Sequence, residues 1–225
     1  MDILEGRMEI ILSDTEARIL GCLIEKELTT PEYYPLSLNS LTNACNQKSN
    51  RNPIVSYDEP VVSRALDRLQ EMGLARETHM AGSRVPKYLH TLLDKFDFSR
   101  HELAVLCELM LRGPQTIGEI RTHTERMAQF EGLIEVENTL QILMDHDPAV
   151  ALRLPRETGR KECRYMHLFS DSISREKTVH DLPAGPSAHQ GTLQERVSRL
   201  EEENEELRAE LDELKRAFAE FKSQF

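Results

Sequence analysis

At 225 residues the chain exceeds one typical domain, and two small ones are the natural expectation. A hydrophobic content of 39% beside 30% charged residues, with no apolar run near the roughly 20 residues that cross a bilayer, excludes a membrane-spanning helix. The formal charge is −11, yet residues 13–96 hold 10 basic against 11 acidic residues, 99–170 hold 9 against 11, and 171–225 hold 8 against 13. The acid sits mostly in the tail, so a whole-domain basic footprint is absent and any nucleic-acid contact has to be local.

Residues 1–11 form an N-terminal extension, with acidic residues where a secretory signal needs basic ones. A cytoplasmic protein with no membrane partner is expected. The chain then repeats itself once. Ser13-Asp14-Thr15-Glu16 and Ser99-Arg100-His101-Glu102 are capping boxes, in which the serine hydroxyl accepts from a free amide at the helix start and the glutamate reaches back. At a constant offset of 86, Ile19, Leu20, Leu23 and Ile24 correspond to Val105, Leu106, Leu109 and Met110, the face of a helix pressed on a core.

A second short helix follows in each unit, capped by Ser37 and by Thr116, and then a third, with Val62, Leu66 and Leu69 or Val136, Leu140 and Leu143 inward. Each unit closes with a hairpin, predicted over about Leu74–His79 and Val85–Leu89, and over Val150–Leu154 and Cys163–Leu168. Three helices followed by a hairpin is the order of a winged helix. The expected fold is therefore mainly α with small β-hairpin wings, an α+β chain of tandem winged-helix domains over 12–96 and 97–170.

Residues 171–191 read as a flexible linker, rich in turn formers around Pro183-Ala184-Gly185-Pro186. From Thr192 the apolar residues recur at spacings of four and three, predicting a coiled coil over 192–225 with Leu193, Leu200, Leu207, Leu214 and Phe221 at d and Val197, Asn204, Leu211 and Phe218 at a. A buried a-position Asn pairs with its own equivalent in a two-stranded parallel coil, fixing register and strand number. The flanking pairs Arg196–Glu201, Glu203–Arg208 and Glu210–Lys215 are complementary in that arrangement. The expected partner is a second copy of the chain, in a parallel homodimer; the alternative is a single amphipathic helix folded back on the body.

The segments Thr29-Thr30-Pro31-Glu32, Tyr34-Pro35-Leu36-Ser37, Ala44-Cys45-Asn46-Gln47-Lys48, Asn50-Arg51 and Arg164-Tyr165-Met166-His167-Leu168-Phe169 resemble the YceH-like family of bacterial proteins. The resemblance runs from about Leu12 to Phe169 and implies a tandem winged-helix fold, with no established activity or ligand. The extension lies outside the pattern, and Cys163 stands where a polar residue is expected.

The most unusual segment is Asn46-Gln47-Lys48-Ser49-Asn50-Arg51-Asn52-Pro53, dense in amide and cationic donors of the kind that sit on phosphates or read base edges. The alternative is a polar loop whose Asn side chains cap turns. On the third helix of the first unit Arg64 and Arg68 share one stripe, whereas residues 131–147 of the second unit carry five acids and no Lys or Arg. Phosphate repulsion argues against that helix reading DNA. The candidate nucleic-acid contacts are accordingly Lys48, Arg51, Arg64 and Arg68, with Arg84 and Lys87 on the first wing and Arg156, Arg160 and Lys161 on the second.

Four scattered cysteines without a Cys-x-x-C pair, and eight histidines without helical pairing, predict no metal site. No Gly-rich phosphate loop or nucleophile elbow is present, and pairs such as Glu25 and Glu27 read as helix-surface acids, so no enzyme and no cofactor are expected. The resulting expectation is a dimeric DNA-binding, transcription-regulator-like protein. The alternative is a protein-interaction scaffold on winged-helix domains that binds no DNA. Substituting Asn204→Ile is predicted to raise the melting temperature of the coil and loosen its two-stranded state, read by thermal circular dichroism and sedimentation equilibrium.

Overall fold

A computed structural model describes residues 10–79, 84–156, 159 and 162–170. The linker and the coiled-coil positions Leu193, Val197, Leu200, Asn204, Leu207, Leu211, Leu214, Phe218 and Phe221 lie outside the described residues. The described part is a mixed α+β structure with six α-helices and two small antiparallel sheets.

Both capping boxes close. Ser13 accepts from the Glu16 amide and Glu16 accepts from the Ser13 amide at the start of α1 (Asp14–Thr29), and Ser99 with Glu102 does the same for α4 (Arg100–Arg112). Each helix is followed by a shorter one, α2 (Leu38–Cys45) capped by Ser37 and α5 (Ile117–Thr124) capped by Thr116. A third completes each set. In α3 (Glu59–Glu71) Val62, Leu66 and Leu69 are buried, and in α6 (Leu133–Asp145) Val136, Leu140 and Leu143 are.

Each set ends in a hairpin, β2 (Ala75–Thr78) with β3 (Lys87–His90) and β4 (Ala151–Arg153) with β5 (Tyr165–His167). One further strand, not anticipated from the sequence, is β1 (Leu36–Ser37), which joins the first sheet in the order β1-β3-β2 with Leu36 opposite Tyr88. Its counterpart in the second half is the single antiparallel bridge Gln115 to Tyr165. Thus both halves run helix, short strand, helix, helix, hairpin.

The halves share one core. Residues Ala17–Glu25 of α1 and Glu102–Leu111 of α4 are buried without interruption, so each helix is covered on every side. The helices approach closely at Gly21, where a Cβ would lie 2.9 Å from Leu111 Cδ2 and 3.2 Å from Met110 Cβ. The Cys107 thiol, at the position matching Gly21, donates to the Gly21 carbonyl at 3.3 Å. At the edge of the unit the Leu12 amide donates to the Phe169 carbonyl at 2.6 Å, tying its first strand-like residue to its last. No described helix is long and apolar enough to cross a membrane.

Two buried titratable groups oppose each other in pH dependence. Burial, with Glu25 adding and Arg112 countering, pushes the Glu108 carboxyl from its ordinary 4.5 up to about 7. Burial alone drops the His167 imidazole from 6.5 to about 4. Between pH 4.5 and 6.5 folded Glu108 keeps a proton that the unfolded chain has released, so its contribution to stability falls as pH rises. Folded His167 refuses a proton that the unfolded chain accepts, so its contribution rises with pH. Glu108→Gln is predicted to expose the His167 slope. Urea unfolding between those pH values should show stability rising with pH by on the order of 2 kcal/mol in the variant and a flatter profile in the parent.

Candidate nucleic-acid interface

The outward side of α3 presents Arg64, Asp67, Arg68 and Glu71 to solvent. Its inward side packs on α1 and α2, and its C-terminal end packs on β2. Gln70 accepts from the Glu77 amide at 3.2 Å, fastening the helix to the hairpin. The hairpin adds Arg76 and Arg84, both exposed, and half-buried Lys87. Arg76 was not singled out in the sequence, where an exposed strand position cannot be told from an inward one without the register. Arg68 is already paired with Glu71 at 2.9 Å, but with both side chains about two-thirds exposed the pair is worth little, roughly 0–1 kcal/mol. A phosphate can compete for it.

The segment 46–53 takes the alternative role, a polar loop whose side chains bond backbone, and it removes Arg51 from the phosphate contacts. Arg51 is buried, and its guanidinium donates to both oxygens of Glu25 at 3.0 and 2.6 Å and to the carbonyls of Ala44 and Asn50. Burial alone would raise the Glu25 carboxyl, but the Arg51 guanidinium holds it below its ordinary value. Every donor of Arg51 faces inward, so the residue is a structural clamp and no phosphate contact. Glu25, expected on a helix surface, is buried as well.

The neighbouring amides serve the same clamp. Asn46 donates to the Tyr57 carbonyl and accepts from the Tyr57 amide, each at 2.7 Å, closing the loop on itself. The Asn52 amide donates to the Leu111 carbonyl at 2.9 Å and its side chain to the Arg112 carbonyl at 3.3 Å. Those carbonyls belong to the last turn of α4, which has no intrahelical donors left for them. Arg112 returns a bond to Asn50 Oδ1 at 2.6 Å. Asn50 takes φ 58°, a left-handed conformation that asparagine tolerates better than most residues. The loop therefore staples the first half to the second.

The remaining predicted contacts divide by place. Lys48 is exposed, but it lies with Lys26 and Arg126 at a cavity between the halves rather than on α3. Arg156 is exposed beyond β4, while Arg160 and Lys161 lie outside the described residues. Of the other cations on that hairpin, Arg164 is held by Glu119 at 3.0 Å and by the Pro114 carbonyl at 2.7 Å. The structure thus gathers Arg64, Arg68, Arg84 and Lys87 on one helix-and-hairpin assembly and leaves Lys48, Arg51 and Arg156 apart from it.

The second half presents a different surface in the same place. Leu133, Ile134 and Ile142 of α6 are 52%, 74% and 55% exposed, among Glu137 and Asp145.

Removing the clamp and removing a surface cation should differ sharply. Arg51→Ala leaves the Glu25 carboxylate buried with only Lys26 at 3.1 Å, and is predicted to cost about 3 kcal/mol in urea unfolding. Lys48→Ala is expected to change stability by less than about 0.5 kcal/mol.

Comparison with known proteins places this arrangement. The UPF0502 protein of Pelobacter propionicus is 52% identical over 219 residues, covering 97% of this chain and 100% of that protein. The UPF0502 protein of Geobacter sulfurreducens is 51% identical over 221 residues, covering 97% of this chain and 100% of its own length. That of Koribacter versatilis is 59% identical over 160 residues, covering 71% of this chain and 74% of its own length. Residues 12–160, which span both halves from the start of α1 to the second hairpin, match the family described as "Protein of unknown function, DUF480", and the chain belongs to that family.

Proposed function

We propose that residues 12–96 and 97–170 are winged-helix domains and that the protein is a homodimeric DNA-binding protein, regulator-like, which acts by binding rather than by catalysis. The first half docks on duplex through α3 and the β2–β3 hairpin, and the second half holds it in place. The parallel coil over 192–225 joins two copies. The observation that carries this reading is the assembly of α3 and its hairpin. A helix whose outward face bears Arg64 and Arg68 is fastened to a hairpin bearing Arg76, Arg84 and Lys87. Supporting it is the element order, with β1 completing the small sheet at the place a winged helix has its first strand. The acids Asp67 and Glu71 on the same face favour a modest, salt-sensitive affinity over tight nonspecific binding.

A second reading, the protein-interaction scaffold, is favoured by one observation: the face of α6 that matches the α3 surface is apolar and acidic, and residues 131–147 hold no Lys or Arg. A surface of that kind suits a protein partner better than a phosphate backbone.

Fluorescence anisotropy with a labelled mixed-sequence duplex separates the two. At about 50 mM salt the full chain is predicted to bind, with log K falling against log salt at about −0.9 for each phosphate neutralised. Arg64→Glu with Arg68→Glu should weaken binding at least about tenfold. Absence of duplex binding at that salt would overturn the DNA reading and favour the scaffold.

A further inference from the structure

A cavity of about 460 Å³ opens between the halves, bounded by the last turn of α1, the 47–50 loop, α4 and the end of α5. Its size falls in the range of small-molecule sites. Deep in it sits Glu108, only 3% exposed. Its Oε2 takes no hydrogen bond among the described residues; Arg112 Nε lies 2.7 Å away as an ion pair but is not aligned to donate to it. Elsewhere in the seam the buried cation and carboxylate are fully matched, as Arg51 and Glu25 show. A buried acceptor left without a donor is costly unless something supplies one.

A second acceptor lines the same space. The side-chain amide of Gln115 donates to the Glu108 carbonyl at 3.1 Å, which turns Gln115 Oε1 toward His123 Nδ1. Nδ1 must therefore carry the proton, and Nε2 of the neutral ring is an acceptor. At the open side stand three cations, Lys26, Lys48 and Arg126, of which, among the described residues, only Lys26 is paired, with Glu25. Acceptors at depth and cations at the mouth define a polarity for the occupant.

We propose that this cavity binds a small anionic molecule, with N–H donors at one end for Glu108 and His123 and a phosphate or carboxylate at the other for Lys48 and Arg126. Nucleoside monophosphates and α-amino acids share that chemistry. The site is independent of the DNA surface, since none of its lining residues belongs to α3 or the hairpins.

The test is calorimetric titration of the full chain at about pH 8, where Glu108 is ionised, with guanosine 5′-monophosphate, with L-glutamine and with inorganic phosphate alone. One of the first two is expected to bind saturably with Kd near or below about 0.1 mM, and phosphate at least about tenfold more weakly. A response to the nucleotide assigns a nucleotide-type ligand, and a response to glutamine an amino-acid type. Glu108→Gln, and separately Lys48→Ala with Arg126→Ala, should each weaken binding at least about tenfold. The second variant alters only exposed side chains and carries the test if the first does not fold. Failure of both probes at about 5 mM, or unchanged affinity in the surface variant, overturns the proposal.

Discussion

The close crossing of α1 and α4 is the constraint on which everything else rests. At Gly21 an added Cβ would press on Leu111 at 2.9 Å and on Met110 Cβ at 3.2 Å, and Cys107 answers with a thiol hydrogen bond across the gap. Both helices are buried over nine or more consecutive residues, far more than the single stripe of a surface helix. Separating the halves would expose apolar faces that have no other cover. The repeat is therefore not two beads on a string, because neither half can hide its first helix alone.

That burial sets the polar chemistry of the seam. A helix covered on all sides has no solvent face for its charged residues, so Glu25 and Glu108 are carried inside with it. Glu25 is matched by Arg51 from a loop that also satisfies the last carbonyls of α4. Glu108 is only half matched, and a cavity lies against it. Fusion of the halves also leaves the outer faces of α3 and α6 free to differ, one carrying Arg64 and Arg68 beside two acids and the other apolar with acids alone. Duplication of a fold followed by divergence of its exposed face is how one scaffold comes to hold two surfaces of different chemistry.

Much of this was legible in the residues. The capping boxes at Ser13 and Ser99, the 86-residue offset and the inward rows of α3 and α6 are local signals, and α1, α2, α4 and α5 begin at the caps that the residues show. β1 was not legible, because two residues carry no alternation and owe their pairing to Tyr88 far along the chain. The loop 46–53 left two readings open for a physical reason: donor-rich sequence says that hydrogen bonds will be made but not to what. Arg51 found a carboxylate 26 residues away and so left the surface, while Asn52 took the helix end of the other half. The uninterrupted apolar run Ile19–Ile24 was the one hint that α1 would be buried all round and carry Glu25 in with it. The cavity draws on four separated segments, and nothing in any one of them announces it.

The proposed division of labour sets the first half on duplex and the second half behind it. Amide hydrogen exchange of the full chain with and without a saturating duplex addresses this directly. The account predicts added protection along α3 and the β2–β3 hairpin, with α6 unchanged. Protection centred on α6, or none anywhere, would contradict it.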